Sequence, residues 1–226
     1  MIKDTAIIIP VYNEGKVIKG VVNAVLKEFT HVICVNDGSK DNSAAEIEKT
    51  KAILVNHPIN MGQGAALQTG IEYARDIEGV KFFVTFDADG QHRLIDAIAM
   101  VKELKKEKHD IVMGSRFLGS TVGMTRQKKM ILKLAIRFSN VTSGIILTDT
   151  HNGLRAFNKH VADTMQITLP DMAHASEILE IIARQKYRYT ELPVTIEYTE
   201  YSKSKGQTLI NAVNIGFDTI LRKFSK

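Results

Sequence analysis

Short apolar runs rich in β-branched residues alternate with amphipathic stretches through the first half of the chain, and this alternation decides the class of fold. Runs of this length predict buried strands, and the amphipathic stretches predict helices that connect parallel strands. The pattern therefore predicts an α/β fold with a Rossmann-like, doubly wound, mostly parallel sheet and helices on both faces. The predicted strands are 5–10, 31–36, 52–56, 81–87 and 110–114, and the predicted helices are 16–28, 43–50, 62–74 and 94–106.

The second half of the chain lacks this regular alternation. It contains a helical pattern at about 126–146, a short strand pattern at 154–158, a helical pattern at 176–186 and a strand pattern at 194–198. A last amphipathic helix is predicted at 208–224. A length of 226 residues suits one large α/β domain, and no clear linker interrupts it, so we predict a single domain over residues 1–226.

Cysteine usage and the lengths of the apolar runs restrict the expected location. Cys34 is the single cysteine and lies in an apolar run, so no intrachain disulfide can form and a buried thiol is predicted. The first residues do not follow the pattern of a signal peptide, and no run reaches the roughly 20 apolar residues that a spanning helix requires. We therefore expect a cytoplasmic protein that does not cross a membrane by itself.

Basic residues are concentrated in one stretch, although the formal net charge is only +5. Residues 111–148 contain no Asp or Glu, and such a field attracts phosphate groups, anionic lipids or nucleic acid. A solvated basic helix face is the plainer interpretation. No nucleic-acid partner is expected, because aromatic residues make up only 7% of the chain and no binding motif is recognised. The basic residues of the stretch are Arg116, Arg126, Lys128, Lys129, Lys133 and Arg137.

Polar residues follow three of the predicted strands at the point where each strand ends. The segments 10–14, 36–39 and 87–92 have the sequences Pro-Val-Tyr-Asn-Glu, Asn-Asp-Gly-Ser and Asp-Ala-Asp-Gly-Gln-His. Because ligands of an open α/β sheet bind beyond the carboxyl ends of its strands, the three segments are expected to meet at one crevice. Asn-Asp-Gly-Ser alone is also an ordinary turn and helix N-cap.

Asp87 and Asp89 form an Asp-x-Asp pair at the tip of a predicted strand. Two carboxylates in that position suit Mg²⁺ or Mn²⁺, which also take oxygen ligands from a substrate diphosphate. A metal there would offset the charge that develops on a departing nucleoside diphosphate. Gln91 is a candidate for a further oxygen ligand, whereas His92 is interpreted as structural because oxygen-rich sites suit these metals best.

A Gly-x-Gly pattern lies in segment 60–66. It differs from the dinucleotide-binding fingerprint because Leu67 stands at the third glycine position and the segment does not follow the first strand. We interpret it as a helix N-terminus close to a sugar or diphosphate, with a plain helix start as the alternative.

Taken in order, these segments and two later ones resemble the family-two glycosyltransferases, which have the GT-A fold. Within that family they resemble the branch of dolichyl-phosphate mannose synthase and the bacterial polyprenyl-phosphate glycosyltransferases. The resemblance covers about residues 6–205. The motifs that carry it are Pro-Val-Tyr-Asn-Glu at 10–14, Asn-Asp-Gly-Ser at 36–39, Asn-x-Gly-x-Gly at 60–64, Asp-Ala-Asp-Gly-Gln-His at 87–92, Gly-Ser-Arg-Phe at 114–117 and Asp-Thr-His-Asn-Gly-Leu-Arg-Ala-Phe at 149–157.

The resemblance implies an inverting, metal-dependent transfer of one sugar from a UDP- or GDP-sugar to a polyprenyl phosphate, such as dolichyl or undecaprenyl phosphate. We divide the chain into a nucleotide-sugar-binding half at about 1–115, an acceptor half at about 116–205 and a C-terminal helix at 206–226. The nucleotide sugar is expected at Pro10, Tyr12, Glu14, Asp37, Gly64 and Asp87, the metal at Asp87, Asp89 and Gln91, and the acceptor phosphate at Arg116, Arg126, Lys203 and Lys205.

Three departures from the family pattern qualify these expectations. Asn36 stands where many members have a first Asp, which leaves the nucleobase open. Arg93 and Leu94 replace prolines that are common after the metal motif, so the following turn is expected to differ. The chain contains no tryptophan, so it lacks the Gln-x-x-Arg-Trp motif of processive polysaccharide synthases.

The catalytic residues expected are Asp89, Arg116 and, for one class of acceptor, Glu177. If the acceptor is a sugar or protein hydroxyl in glycan assembly, Glu177 is the candidate general base, with His174 a weaker candidate. A phosphate acceptor is already anionic near neutral pH and needs no base. A nucleotidyltransferase is a further alternative, but residues 12–15 do not form the glycine-rich, lysine-bearing loop expected after its first strand.

The basic stretch also interleaves apolar residues, which predicts an interfacial helix at the cytoplasmic face of a membrane. The helix at 208–224 is a second candidate, and Lys203 and Lys205 before it are placed to close over phosphates. Relatives in this branch commonly continue into membrane helices, so a separate membrane protein is an expected anchor. Packing of both apolar faces in the core or in a homodimer is the alternative.

Overall fold

The computed structural model describes residues 1–171 and 173–201. Within these ranges the chain forms seven strands and seven helices. The strands are β1 (Ile2–Val11), β2 (Phe29–Asp37), β3 (Ile53–His57), β4 (Phe82–Thr85), β5 (Ile111–Val122), β6 (Arg155–Asn158) and β7 (Tyr189–Glu197). The helices are α1 (Ile18–Val25), α2 (Ser43–Glu48), α3 (Gln63–Arg75), α4 (Leu94–Leu104), α5 (Arg126–Ser143), α6 (Lys159–Thr164) and α7 (Ala173–Gln185).

All seven strands form one sheet with the order β3-β2-β1-β4-β6-β5-β7. Strand β6 runs antiparallel to its neighbours β4 and β5, and the other strand pairs are parallel. The prediction of a doubly wound, mostly parallel sheet is therefore confirmed. Strands β1 to β4 come from the first half of the chain, and they meet the second half at the pairing between β4 and β6.

The sheet separates two hydrophobic cores. Successive side chains of a strand point to opposite faces, so Ala6 and Ile8 of β1 lie in one core while Ile7 and Ile9 lie in the other. Buried residues of α3, α6 and α7 complete the first core, and buried residues of α1, α2 and α4 complete the second. Helices therefore cover both faces, as predicted.

Element boundaries differ from the prediction mainly in the second half. Strand β5 continues to Val122, and its pairing with β7 changes register between Ser115 and Ser120. The prediction ended this strand at residue 114 because the residues beyond it lack the apolar pattern of a buried strand. In the structure those residues are largely exposed, which accounts for the missing pattern. Strand β7 begins at Tyr189, earlier than predicted, and the short helix α6 was not predicted.

The predicted helix at 208–224 and the candidate residues Lys203 and Lys205 lie outside the described residues. In the part of the chain that the structure describes, no helix combines the length and apolar character needed to span a bilayer.

A salt bridge between Asp110 and Arg188 ties the starts of β5 and β7 together, at the end of the sheet opposite the predicted crevice. The Arg188 Nε and Nη2 atoms donate to the two carboxylate oxygens of Asp110 at 3.0 and 2.8 Å. Asn158 donates to the same carboxylate at 3.1 Å. Hydrogen bonds from Arg188 hold the pKa of Asp110 at about 2, well below its ordinary value.

We predict that Asp110→Asn lowers the thermal midpoint near neutral pH, because it removes the charge that Arg188 pairs with. A depressed folded-state pKa contributes stability that is fully present above the unfolded pKa of about 4 and is lost as the pH falls through about 2. The difference between wild type and variant should therefore shrink between pH 4 and pH 2 in melts followed by circular dichroism. Asp163→Asn, which breaks an exposed pair with Lys159, is the control expected to change little. A difference that is independent of pH would contradict the prediction.

Candidate active site

The loops that follow β1 and β2 are bound to each other by hydrogen bonds. The backbone N–H of Asn13 donates to Ser39 Oγ at 2.9 Å, and that of Glu14 donates to Ser43 Oγ at 2.8 Å. In return the Lys40 N–H donates to Asn13 Oδ1 at 2.8 Å. The two loops are therefore joined at the carboxyl ends of β1 and β2, where ligands of an open α/β sheet bind, and a ligand crevice beside them stays a prediction.

These loops and the end of β1 carry the residues expected to contact the nucleotide. Pro10 lies near the end of β1 and is half-buried. Tyr12 follows that strand and is 43% exposed, so its ring is available for stacking. The Glu14 carboxylate accepts a hydrogen bond from Tyr201 OH at 2.7 Å, which brings the segment after β7 over this side of the crevice.

Asp37 is buried and holds the loop between β3 and α3. Its carboxylate contacts His57 Nδ1 at 2.8 Å and accepts from the N–H groups of Met61 and Gly62, also at 2.8 Å. The structure thus gives Asp37 a role in shaping the crevice. A contact between Asp37 and a nucleotide stays a prediction.

Gly64 lies in the first turn of α3, where that helix packs against the segment before α7. A Cβ atom at this position would lie 2.1 Å from the carbonyl oxygen of Leu169 and 3.0 Å from the Cβ of His174. A side chain here is therefore excluded by packing, which accounts for the glycine independently of the predicted contact with a nucleotide sugar.

The Asp87 carboxylate is held on three sides. Its Oδ2 atom contacts His92 Nε2 at 2.8 Å, and its Oδ1 atom accepts from Gln63 Nε2 at 3.3 Å. The backbone of Gly153 lies against the same carboxylate, since a Cβ atom there would lie 2.2 Å from Oδ2. The Asp87 side chain is still 30% exposed, so these contacts do not enclose the carboxylate completely.

Asp89 lies close to Asp87 and binds Gln91. The Gln91 backbone N–H and side-chain Nε2 donate to the two Asp89 oxygens at 3.1 and 2.6 Å. Burial, the charge of Asp87 and the charge of Glu14 raise the pKa of Asp89 to about 6. The three candidate residues for the metal are therefore adjacent, and their carboxylates repel each other.

The pKa of Asp87 is shifted in the opposite direction to that of Asp89. Burial alone would raise the pKa of Asp87, but contact with His92 and the charge of Arg155 outweigh it, and the pKa lies below its ordinary value. Arg155 is 2% exposed on β6, and its pKa is lowered by burial only to about 10, so it remains protonated at neutral pH. Asp87 is thus an anion held beside a buried cation.

Arg116 is buried beside Asp149. Its backbone N–H and its Nε donate to Asp149 Oδ2 at 3.0 and 2.6 Å, while Nη1 donates to Tyr198 OH and Nη2 to the His151 carbonyl oxygen. Among the described residues, these side-chain contacts use three of the five guanidinium N–H groups, and the side chain is 9% exposed. Binding of the acceptor phosphate by Arg116 stays a prediction.

Lys128, in the first turn of α5, is a candidate that the sequence did not single out. Its Nζ atom lies 4.4 Å from the centre of the Tyr198 ring. Burial and the charge of Arg116 lower the pKa of Lys128, whereas the charge of Asp89 opposes that effect, so Lys128 is close enough to feel both charges. The sequence alone did not distinguish Lys128 from Lys129 or Lys133, because all three lie in the same basic stretch.

Glu177 lies on α7 and binds the segment before that helix. Its carboxylate accepts from the backbone N–H of Thr168 at 3.0 and 3.1 Å, from the Thr168 hydroxyl at 2.5 Å and from the Leu169 N–H at 2.8 Å. This segment is the one that packs on Gly64. The structure therefore gives Glu177 an anchoring role, and its role as a general base stays a prediction.

A groove with a volume of about 720 Å³ lies between α5 and the middle of β5. Its walls begin at Phe117 and Thr148, which are the chain neighbours of Arg116 and Asp149, so the groove starts next to the crevice. Apolar side chains of α5 that are more than half exposed alternate along it with basic ones. The residues that line it on α5 include Arg126, Lys129, Met130, Lys133, Leu134 and Arg137.

Within the described residues, no three His, Cys, Asp or Glu side chains form a complete protein metal site. Mg²⁺ is commonly held by one or two carboxylates, with the other ligands from water and substrate phosphates. The donor set fits that arrangement, because Asp87 and Asp89 supply oxygens on the open side of the crevice and a cation would relieve their repulsion.

We predict that Gly153→Ala displaces the Asp87 carboxylate, because the new methyl group would overlap it. The variant should lose most of the increase in melting temperature that Mn²⁺ with UDP gives the wild type. Gly20→Ala in α1 is the control, since no atom lies within 4 Å of the added Cβ and the helix should gain roughly 0.5–1 kcal/mol. An unchanged Mn²⁺-dependent shift in the Gly153 variant would contradict this assignment of Asp87.

Comparison with known proteins places these features in a family. The family model of glycosyl transferase family 2 matches residues 6–165. The UDP-N-acetylglucosamine–dolichyl-phosphate N-acetylglucosaminyltransferase of Methanococcus voltae is 32% identical over 243 residues, covering 97% of this chain and 96% of that protein. A dolichyl-phosphate beta-glucosyltransferase of Trichomonas vaginalis is 31% identical over 224 residues, covering 88% of this chain and 67% of that protein.

A solved structure supports the fold independently. Glucosyl-3-phosphoglycerate synthase from Mycobacterium tuberculosis, in complex with Mn²⁺, UDP and phosphoglyceric acid, aligns with a TM-score of 0.74 and 15% sequence identity. The alignment covers 98% of this chain and 77% of that chain. Since the family model spans most of the chain and both relatives match it at 30% identity or more, the chain is a glycosyltransferase that belongs to glycosyl transferase family 2.

Proposed function

We propose that this glycosyltransferase moves one sugar from a nucleoside-diphosphate sugar to a polyprenyl phosphate at a membrane surface, with inversion at the anomeric carbon. The observation that carries the proposal is the groove beside α5, which is both apolar and basic and begins next to Arg116. The relatives named for dolichyl-phosphate acceptors support it. A hydrocarbon chain suits the apolar side chains, and the phosphate it carries suits the basic ones.

The donor is assigned to the wall formed by the loops after β1 and β2. Tyr12 offers an exposed ring to the nucleobase, near Pro10, Glu14 and Asp37. The N-terminus of α3, including Gly64, faces the carboxylate of Asp87 through Gln63 and is assigned to the sugar and diphosphate.

Mg²⁺ or Mn²⁺ is assigned to Asp87, Asp89 and Gln91. The Gln91 amide would turn its oxygen toward the ion, since nitrogen and oxygen of an amide exchange places by rotation. The ion would supply positive charge to the diphosphate oxygens. Through such an ion, Asp87 and Asp89 would hold the diphosphate, and the loops after β1 and β2 would hold the nucleoside beside it.

The acceptor phosphate is assigned to the two remaining N–H groups of Arg116, with Arg126 on the groove wall and Lys128 over the Tyr198 ring. An acceptor oxygen forms the new bond to the anomeric carbon from the side opposite the leaving diphosphate, whose bond to that carbon breaks. A phosphate monoester carries its negative charge already, so no side chain has to remove a proton. This agrees with the engagement of Glu177 in anchoring Thr168 and Leu169.

The exposed face of α5 is assigned to the membrane surface. Met130, Leu134 and Val141 are 61%, 59% and 85% exposed, and Lys133 and Arg137 lie between them. Apolar residues flanked by basic ones suit insertion at the boundary between anionic head groups and acyl chains. The enzyme would thus work as a peripheral membrane protein, and neither a protein anchor nor a homodimer is required by this proposal.

We predict that Asp89→Ala abolishes sugar transfer and leaves the fold intact, because it removes a metal ligand at a strand tip without opening a core cavity. Purified protein would be supplied with UDP- and GDP-sugars, Mn²⁺ and a short-chain polyprenyl phosphate, and the lipid product measured. Asp76→Ala, an exposed carboxylate at the end of α3, is the control expected to retain activity.

Two outcomes would overturn parts of the proposal. Wild-type turnover by the Asp89 variant, or by enzyme treated with a chelator, would remove the metal assignment. Efficient transfer to a soluble sugar or protein hydroxyl, without transfer to the lipid phosphate, would reject the polyprenyl acceptor and support Glu177 as the general base.

We predict that Lys133→Glu with Arg137→Glu weakens binding to vesicles containing phosphatidylserine. A basic residue near an anionic surface contributes about 1 kcal/mol, so the loss of two weakens binding roughly thirtyfold, and reversal of their charge weakens it further. Vesicle co-flotation at low salt measures the effect. Lys102→Glu with Lys108→Glu makes the same charge change at two exposed positions, one in α4 and one after its end, and should retain binding. Equal loss in both double variants would show that only net charge matters and would contradict the assignment to α5.

A further inference from the structure

Of the two described side chains that bind the Asp87 carboxylate, His92 makes the shorter contact. Its Nε2 atom lies 2.8 Å from Asp87 Oδ2, compared with 3.3 Å between Gln63 Nε2 and Oδ1. An ionised carboxylate can only accept, so the hydrogen of this bond belongs to His92 Nε2. His92 therefore fixes one of the two Asp87 oxygens.

The His92 ring is itself fixed by its surroundings. Its side chain is 3% exposed, and the ring stands edge-on to Phe86 with 5.4 Å between ring centroids. The backbone of His92 forms an antiparallel bridge with Ile196 of β7, and the neighbouring Glu197 N–H donates to the Gln91 carbonyl oxygen at 3.0 Å. A buried ring on an anchored backbone has little freedom to follow movements of Asp87.

We propose that His92 is a positioning residue of the metal site, which orients the Asp87 carboxylate for the divalent cation without contacting the cation or the substrate. This rests on the assignment of Asp87 to the metal under the proposed function. Its hydrogen bond occupies one lone pair of Oδ2 and leaves the open side of the carboxylate for the ion. Groups that hydrogen-bond a metal ligand in this way typically change metal affinity by about 10- to 100-fold when removed.

The orientation matters because the metal has few protein ligands. Among the described residues, no group of three His, Cys, Asp or Glu side chains is arranged to hold a metal ion without further ligands. If two carboxylates supply most of the protein ligands, a wrong orientation of one of them removes a large share of the protein's contribution to metal binding. His92 also explains how β7 contributes to the site, since Ile196 and Glu197 hold the turn that contains both Gln91 and His92.

The test compares His92→Gln with His92→Met. Glutamine can place an N–H close to the position of His92 Nε2, whereas methionine has similar length and no donor. Titration of Mn²⁺ into protein saturated with UDP, followed by calorimetry, gives the metal dissociation constant without relying on activity. We expect the methionine variant to raise this constant about 10- to 100-fold and the glutamine variant to stay near the wild type.

A distant histidine serves as the control. His109 lies beside Glu103 near the end of α4, at the opposite end of the sheet, and His109→Met should leave Mn²⁺ binding unchanged. If His92→Met does not fold, His92→Asn replaces it, because its shorter amide keeps a polar group but falls short of Asp87.

Each result decides the matter. The positioning role is overturned if His92→Gln binds Mn²⁺ with the same affinity as His92→Met, or as His92→Asn where that variant replaces it. It is also overturned if His92→Gln fails to fold, because the ring would then be needed for packing. Absence of Mn²⁺ binding in the wild type would instead overturn the metal assignment in the proposed function. Both the metal assignment and the positioning role are supported if the wild type and His92→Gln bind Mn²⁺ alike and only His92→Met or His92→Asn binds it more weakly.

Discussion

The pairing of β4 with β6 is the contact on which the candidate site depends. Phe83 pairs with Phe157 in this ladder, and their rings stack with centroids 5.7 Å apart. Full burial of a phenylalanine contributes roughly 1.5–3 kcal/mol, so the joint between the two halves of the chain is strong. Because β6 runs antiparallel to β4, the residues before β6 arrive at the same edge of the sheet as the residues after β4. Asp87 and Gly153 meet for that reason, and Thr85 fixes the approach by donating to the Gly153 carbonyl oxygen at 2.6 Å.

This joint also concentrates opposite charges in a buried place. Asp149 is fully buried beside Arg116, and Arg155 lies near both Asp87 and Asp149. The Arg155 Nε and Nη1 atoms have no hydrogen-bond partner among the described residues, so its charge acts on the two carboxylates through space. Burial lowers the pKa of both His151 and His174 to about 4, and these rings add no charge at neutral pH. Two buried arginines therefore balance the carboxylates of the two halves, which links the surroundings of Asp87 to those of Arg116.

The sequence predicted the sheet, both helix layers and the convergence of three loops, because each of these predictions depends on patterns within short segments of the sequence. Apolar alternation identified β1 to β4, and polar residues at strand ends identified Asp87 and Asp89. The pattern did not reveal partners that are distant in sequence. Tyr198, Lys128 and Tyr201 reach the site only through the path of β7 and α5, and the two Asp-His contacts, at Asp37 and Asp87, join residues that spacing alone does not relate.

Several motif residues were expected to act on the substrate. In the structure, three of them make contacts within the protein that explain their residue type. Gly64 accommodates Leu169, Asp37 holds the loop before α3, and Glu177 fixes Thr168. These three contacts form one chain of support, because the loop held by Asp37 leads into α3, the start of α3 packs on the segment at Leu169, and Glu177 anchors that segment. These contacts therefore join residues from both halves of the chain beside the candidate site. The open groove on α5 suits an acceptor that is too long to enclose, since only its phosphate has to reach Arg116 while its hydrocarbon chain remains along the groove.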